Sequence, residues 1–210
     1  MNRSANDIKI PWAVVVLSAG NSTRMKQHKA LLKFDKHRTF IKKIADEYEH
    51  AGCSKIIIVV NEQNMVQISH QFDHCKGISP SFVLNKNPEY ERFYSIKLGL
   101  EACRNFDRCF IQHCDNPFIT AGLIEKMIQL SMDESYISPA YKGKKGHPVL
   151  LGSNVIQDIC ATNKNNSNFK LFLRNYKCIE FNAGDKNILN NINDLNDYMQ
   201  FFQKIDNPKT

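Results

Sequence analysis

The sequence predicts an α/β fold, a three-layer α/β/α sandwich built on a mainly parallel sheet. Short apolar runs rich in β-branched residues recur along the chain, as in strands that are buried on both faces. Between these runs lie segments whose apolar residues repeat at helical spacing. Because strand and helix alternate at short intervals, we expect parallel strands with helices on both faces of the sheet.

The strands are predicted from the apolar runs. The first run, residues 12–17, reads Trp-Ala-Val-Val-Val-Leu and has no polar position. After Ser135 the alternation with helices weakens, so the later strands rest on composition alone. The predicted strands cover residues 12–17, 56–60, 81–84, 109–112, 136–140, 148–151 and 178–181.

The helices are predicted from apolar spacing and from residues that favour helix ends. Gly52 is placed to end the first helix, Thr120 can cap the third, and Asn61 can cap the segment after the second strand. Residues 163–168 read as a polar loop. The predicted helices cover residues 40–48, 96–102, 123–128 and 194–203.

Residues 1–210 are expected to form one domain with its core between about residues 12 and 203, because neither a repeat nor a linker interrupts the pattern. Residues 1–11 are polar and lack the apolar core of a signal peptide. No run approaches the roughly 18 apolar residues that span a bilayer. A soluble, cytoplasmic protein without a membrane partner is therefore expected.

The seven cysteines are odd in number and scattered, and none of their spacings fits a zinc site. They are expected to be reduced thiols, most of them in the core. The formal net charge is +7, which suits nucleic acid, a membrane surface or an anionic metabolite as partner. The basic residues are dispersed, without a basic arm or an aromatic RNA-binding strand, so a polyphosphate substrate is favoured over nucleic acid.

The loop after the first strand carries the clearest functional pattern. Three small residues at positions 18–20 let the backbone approach a ligand closely, and successive N–H groups in such a turn can bind an anion. Arg24 and Lys29 add positive charge at a spacing that fits a triphosphate. The loop is neither a P-loop nor a dinucleotide-binding turn. Taken alone, it also fits a plain solvated loop with two surface cations.

Four ordered motifs resemble those of the MobA/MocA-type nucleotidyltransferases. Residues 17–29 resemble the signature Leu-Ala-Ala-Gly-x-Ser-x-Arg-Met-Gly-x-x-Lys. Residues 115–118 resemble the Asp-x-Pro motif, residues 146–148 the Gly-His-Pro segment, and residues 191–198 the closing element of the family. The match runs from about Val14 to Tyr198. The resemblance implies a Rossmann-like sandwich of the nucleotide-diphospho-sugar transferase type, related to the GT-A fold.

The resemblance also implies a reaction and a set of nucleotide contacts. A nucleotidyl group would pass to a phosphorylated acceptor by in-line displacement at the α-phosphorus, and pyrophosphate would leave. Arg24 would stabilise the departing pyrophosphate, and Lys29 would lie against the α-phosphate. The expected nucleotide-binding residues are Leu17, Ser18, Ala19, Gly20, Asn21 and Ser22 in the first loop, with Asn85 and Ser95 near the base and ribose.

The expected cofactor is Mg²⁺, which prefers carboxylate oxygen. Asp115 is the first candidate ligand because it follows a predicted strand and emerges at the same sheet edge as the first loop. Asn191 is preferred over Asn193 as the second ligand. His147 is a candidate for contact with the acceptor. Alternatively, it only orients the start of a strand.

The form of the first loop and the Gly-His-Pro segment are closer to the cytidylyltransferase branch than to the guanylyltransferases. The implied substrates are therefore CTP and molybdopterin or its molybdenum-bearing form. Two alternatives stay open: a nucleotidyltransferase for a sugar phosphate or another small phosphorylated alcohol, and a nucleotide-binding module without catalysis.

Overall fold

The computed structural model of the protein describes residues 10–20, 27–74, 77–130, 133–165 and 167–206. Within these ranges the strands are β1 (Ala13–Leu17), β2 (Lys55–Val60), β3 (Ser81–Leu84), β4 (Arg108–His113), β5 (Ser135–Tyr141), β6 (Lys144–Lys145), β7 (Val149–Gly152) and β8 (Lys177–Asn182). The α-helices are α1 (Phe40–His50), α2 (Met65–Ser69), α3 (Glu91–Glu101), α4 (Ala121–Leu130), α5 (Ser153–Ala161), α6 (Phe169–Phe172) and α7 (Leu195–Asp206). Each predicted strand and helix is therefore present.

The strands in the described ranges form one mixed sheet of eight, in the order β3-β2-β1-β4-β7-β5-β6, with β8 paired to β5. The pairs β2–β3, β1–β2, β1–β4 and β5–β8 are parallel. The pairs β4–β7, β5–β7 and β5–β6 are antiparallel. The prediction of a mainly parallel sheet is confirmed, and the antiparallel part lies in the second half of the chain, where the alternating pattern weakened.

The central strand β1 is covered by helices on both faces, which gives the fold its three layers. On one face of the sheet, Val14 and Val16 are buried in the same apolar cluster as the inner sides of α1 and α4. On the other face, Ala13 and Val15 are buried with the inner sides of α3 and α5. A strand covered on both faces has no solvent side, which is why its sequence is a continuous apolar run.

Helix α3 lies unusually close to the sheet at Gly99. A Cβ atom at this position would be 2.3 Å from Cγ1 of Val15 and 3.1 Å from Cγ2 of Val59. Glycine is required here because any larger side chain would displace the helix from β1 and β2. The helix is thereby held against the strands whose ends form the site described below.

The predicted helix ends agree with the structure. Gly52 follows α1 with φ of 83°, a left-handed conformation that glycine adopts readily. The Thr120 hydroxyl accepts a hydrogen bond from the Leu123 N–H at 3.3 Å and so caps α4. The Asn61 side chain accepts from the Asn64 N–H at 3.0 Å, in the turn that precedes α2.

Three helices were not among the sequence predictions: α2, α5 and α6. In α5 the buried residues Val155, Ile156 and Ile159 follow helical spacing, but the helix begins directly after β7 with no intervening loop. The helices α2 and α6 have five and four residues, too few for a periodic signal. In the part of the chain that the structure describes, no helix is long and apolar enough to cross a membrane.

The cysteines of the described ranges are free thiols. Cys53, Cys103, Cys109 and Cys114 are buried, and Cys160 and Cys178 are half-buried, whereas Cys75 lies outside the described residues. The prediction of core thiols therefore holds for the four buried ones.

Candidate active site

A cleft of about 300 Å³ opens at the carboxyl ends of the parallel strands. Such an edge is where α/β sheets bind ligands, because loops and helix starts leave backbone N–H groups available there. Three segments supply its walls: the loop after β1, the segment after β3, and the end of β4. The lining residues are Leu17, Ala19, Gly20, His28, Lys29, Asn85, Pro88, Arg92, Ser95, His113, Cys114 and Asp115.

The cleft unites most of the residues that the sequence predicted for the nucleotide. The first-loop residues at 17, 19 and 20 line it, as do Asn85, Ser95, Lys29 and Asp115. Ser18 is buried beneath them, and its N–H donates to the Val59 carbonyl at 2.8 Å. The remaining predicted residues of this loop, Asn21, Ser22 and Arg24, lie outside the described residues.

Lys29 reaches the cleft from a short 3-10 turn, Lys29–Leu31. The next two residues, Ala30 and Leu31, are buried and anchor the turn in the core. The His28 ring Nδ1 accepts a hydrogen bond from the Ala30 N–H at 3.3 Å and caps the turn. This local structure fixes the origin of the Lys29 side chain while its ammonium group extends into the cleft.

Lys29 and Asp115 meet at the mouth of the cleft, where Nζ of Lys29 lies 3.8 Å from Oδ2 of Asp115. The other carboxylate oxygen, Oδ1, is buried and has no hydrogen-bond partner among the described residues. Burial raises the pKa of Asp115 above its ordinary value, while the positive charges of Lys29 and Arg92 oppose that shift. A buried oxygen with unused lone pairs is a position that a divalent cation would satisfy.

The C-terminal segment brings Asn191 next to Asp115. The Ile192 N–H donates to the backbone oxygen of Asp115 at 2.8 Å. The Asn191 side-chain oxygen accepts from Nδ2 of Asn116 at 3.4 Å. The Asn193 N–H donates to the Asp197 carboxylate at the start of α7, and Nδ2 of Asn193 donates to the Asn191 backbone oxygen at 3.5 Å. The side chain that bonds directly to the segment of Asp115 is that of Asn191.

His147 lies behind the cleft wall and contacts it through His113. The two rings have centroids 4.5 Å apart and planes tilted by 35°. Burial lowers the pKa of His147 to about 4, and the positive charge of Arg92 acts in the same direction. Burial likewise holds the pKa of His113 well below its ordinary value, with His147 and Arg92 adding to the effect. Both imidazoles are therefore neutral near pH 7.

Asn85 and Ser95 are buried side chains that line the cleft together. Nδ2 of Asn85 donates to the Ser95 hydroxyl at 2.9 Å, and its Oδ1 accepts from the Asn87 N–H at 2.8 Å. This pair ties the end of β3 to helix α3, which begins at Glu91. The wall is thus rigid and polar, as a pocket for a base or ribose requires.

Arg92 and His113 were missed by the sequence reasoning. Arg92 is exposed at the start of α3 and lines the cleft opposite the Lys29 turn. His113 is the last residue of β4 and lies two positions before Asp115. The position of His113 at the carboxyl end of β4 was an available signal, because ligands bind at that edge of a parallel sheet.

A mostly parallel sheet with a small-residue loop after its first strand, and with a lysine and a carboxylate at the cleft, defines a nucleotide-binding α/β protein. The chain belongs to the family of the MobA-like NTP transferase domain, whose model matches residues 14–178. It is accordingly a nucleotidyltransferase of the MobA-like family, in which a nucleoside triphosphate and a phosphorylated acceptor are the substrates. No curated protein matches the sequence at a significant level.

Solved structures show the same fold at low sequence identity. Rv0371c of Mycobacterium tuberculosis, in complex with manganese, has a TM-score of 0.74 at 16% identity over 92% of this chain and 98% of that one. The 4-diphosphocytidyl-2C-methyl-D-erythritol synthase of Anaerococcus prevotii has a TM-score of 0.71 at 13% identity, covering 93% and 96%. Molybdopterin-guanine dinucleotide biosynthesis protein A of Archaeoglobus fulgidus has a TM-score of 0.66 at 13% identity, covering 92% and 98%.

Proposed function

We propose that this protein transfers CMP from CTP to a phosphorylated acceptor, molybdopterin or its molybdenum-bearing form, and releases pyrophosphate with the help of Mg²⁺. The observation that carries the proposal is the approach of Lys29 Nζ to Asp115 Oδ2 at 3.8 Å, in a cleft that Ala19 and Gly20 also line. A cation, a carboxylate and free peptide N–H groups around one cleft are the groups that a triphosphate and its metal need.

Asp115 is the residue that would hold the metal, with Asn191 beside it as the second ligand. The unpartnered Oδ1 of Asp115 fits a hard divalent cation, and an amide oxygen can complete its coordination without adding charge. When bound, the ion would neutralise charge on the phosphates. A structural neighbour from M. tuberculosis was solved with manganese, which supports a divalent ion on this fold.

The chain's own groups would position and stabilise the reacting phosphates. A phosphate oxygen of the acceptor attacks the α-phosphorus of CTP, the bond to the β-phosphate oxygen breaks, and pyrophosphate leaves. Lys29 stabilises the charge that develops on the α-phosphate. The Ala19 and Gly20 amides hold the β- and γ-phosphates, with Arg24 added to this subsite by the family resemblance. Neutral His113 would line the acceptor side of the cleft, with neutral His147 packed behind it.

The choice of CTP and molybdopterin rests on the first-loop form and on the Gly146-His147-Pro148 segment. Two structural neighbours are named for different products, one for molybdopterin-guanine dinucleotide and one for a cytidylated methylerythritol. The second name makes a phosphorylated alcohol the main competing acceptor. A nucleotide-binding module without catalysis is the other alternative, and the Lys29–Asp115 pair favours the enzyme over it.

A pyrophosphate-release assay tests the proposal. The purified protein is incubated with Mg²⁺, each of the four NTPs in turn, and molybdopterin, methylerythritol phosphate or a hexose phosphate as acceptor. Release with CTP and molybdopterin alone is the expected result. Pyrophosphate release with methylerythritol phosphate and not with molybdopterin would show that the acceptor is a phosphorylated alcohol. Binding of CTP without pyrophosphate release for any acceptor would show that the protein binds nucleotide without catalysis.

A further inference from the structure

Two asparagines outside the cleft lining hold the first loop by its carbonyl oxygens. Nδ2 of Asn64 donates to the Ser18 oxygen at 2.7 Å, and Nδ2 of Asn61 donates to the Ala19 oxygen at 3.0 Å. Asn61 directly follows β2, which pairs with β1 in the sheet, and Asn64 directly precedes α2. They reach the loop across 46 and 42 positions of the chain, so the contacts depend on the β1–β2 register.

The two asparagines also fix each other. The Asn61 N–H donates to the side-chain oxygen of Asn64 at 3.0 Å, and the Asn64 N–H donates to the side-chain oxygen of Asn61 at 3.0 Å. The residues are 5% and 3% exposed, so water does not compete for these bonds. An amide side chain suits this role because it accepts through its oxygen and donates through its nitrogen at the same time.

Because the two asparagines hold carbonyl oxygens of the first loop, they also determine where the N–H groups of the same peptide units point. In a trans peptide the carbonyl and the N–H of one unit point in opposite directions. The Ser18 carbonyl belongs to the unit that carries the Ala19 N–H, and the Ala19 carbonyl to the unit that carries the Gly20 N–H. With both oxygens held on the β2 side, both N–H groups face away from it, and Ala19 and Gly20 line the cleft.

We propose that Asn61 and Asn64 are positioning residues that orient the Ala19 and Gly20 amides toward the phosphates of the nucleotide. The inference rests on the proposed function for the identity of the bound group. Without the two side-chain amides, both peptide units can rotate, and a donor that must reorganise binds an anion more weakly than one already oriented.

The test uses the full-length chain, Mg²⁺ and inorganic pyrophosphate as the probe. Asn64→Ala and Asn61→Ala are each expected to raise the Kd for Mg-pyrophosphate about tenfold or more, and to lower kcat/KM for CTP by a similar factor. Asn175→Ala is the matched control, since Nδ2 of Asn175 also donates to a backbone carbonyl, that of Phe172 at 3.1 Å. The control is expected to change neither quantity by more than about twofold.

A titration followed by ¹H–¹⁵N spectra separates positioning from loss of folding. In the wild-type protein, the Ala19 and Gly20 amide signals should shift with Mg-pyrophosphate; in the folded variants the shift should be weaker at equal ligand concentration. Partial unfolding would lower the number of binding sites and leave the Kd of the folded molecules unchanged. That result, or unchanged affinity in both variants, would overturn the proposal.

The wild-type titration also distinguishes this inference from the proposed function. If the amide signals of Ala19 and Gly20 shift with neither Mg-pyrophosphate nor Mg-CTP, both proposals fail together. If the wild-type protein binds CTP and turns it over while both alanine variants match it, only the role of the asparagines fails. If pyrophosphate binding depends on the asparagines but no acceptor supports turnover, their role stands and the catalytic assignment fails.

Discussion

The rings of His113 and His147 stack with centroids 4.5 Å apart, although the residues come from β4 and from the segment before β7. One ring lines the cleft and the other supports it from behind. Two charged imidazolium rings at this distance would repel each other, and burial lowers the pKa of both, so both rings are neutral near pH 7. The packing at the end of β4 is therefore coupled to pH.

The burial of His147 makes stability fall in acid. The pKa of His147 is lowered from 6.5 to about 4, so its contribution is complete above pH 6.5 and is lost as the pH falls toward 4. This single shift corresponds to about 3 kcal/mol of unfolding free energy. Urea unfolding at pH 7, 5.5 and 4 measures the loss. His147→Gln, which cannot titrate, should show a flatter pH dependence; an equally steep one would contradict the assignment.

Replacement of Lys29 should stop catalysis without unfolding the chain. Lys29→Ala removes the cation beside Asp115 and should lower the rate of pyrophosphate release by about 100-fold or more. The melting temperature should stay near that of the wild type, because the turn is anchored by Ala30 and Leu31. Lys36→Ala, at an exposed lysine of the same segment, is the control and should keep full activity. A near-normal rate for Lys29→Ala would remove the lysine from the mechanism.

Asp115→Asn should separate activity from stability. Because burial raises the pKa of this carboxyl, its ionised form is costly in the folded state, and an isosteric amide should leave the melting temperature equal or higher. Pyrophosphate release should be abolished, and added Mg²⁺ should not restore it. The control is Asp133→Asn, at an exposed carboxylate outside the cleft. Chelation of Mg²⁺ should stop the wild-type enzyme as well; activity in its absence would refute the metal role.

Two glycines give a matched test of packing. Gly99→Ala would place a methyl group 2.3 Å from Cγ1 of Val15, and should lower the free energy of unfolding by about 1 to 3 kcal/mol. Gly122 lies in α4, and the methyl group that Gly122→Ala adds would have no other atom within 4 Å. This substitution should stabilise the protein by up to about 1 kcal/mol through helix propensity. Denaturant unfolding of both variants measures the difference. Equal stabilities would show that α3 can move away from the sheet without cost.

Much of the architecture could be predicted because buried strands and amphipathic helices leave a local pattern. The run at residues 12–17 is apolar at every position because both of its faces are covered. Strand direction is not encoded in this way: the apolar pattern of β7 is the same whether it pairs parallel or antiparallel with β4. Its direction follows from the path of the chain, which no short segment of sequence records.

In the candidate site too, the residues that lie in local motifs could be predicted, and those that depend on the fold could not. Lys29 and Asp115 lie in ordered motifs, and the structure brings them within 3.8 Å of each other. Arg92 and His113 belong to none of the four motifs, and the fold brings them to one cleft from α3 and from the end of β4. The hold of Asn61 on the first loop depends on strand register, which apolar periodicity does not specify.

The segment around Ile188 and Ile192 connects the loop of His147 to the loop of Asp115. The Ile188 oxygen accepts from the His147 N–H at 3.0 Å and from Nδ2 of Asn116 at 3.3 Å, and the Ile192 N–H donates to Asp115 at 2.8 Å. A redesign that exchanged only the loop around His147 for that of another enzyme would pull on the segment that fixes Asp115. If the proposed acceptor role of this loop holds, a new acceptor specificity would require exchange of both segments together.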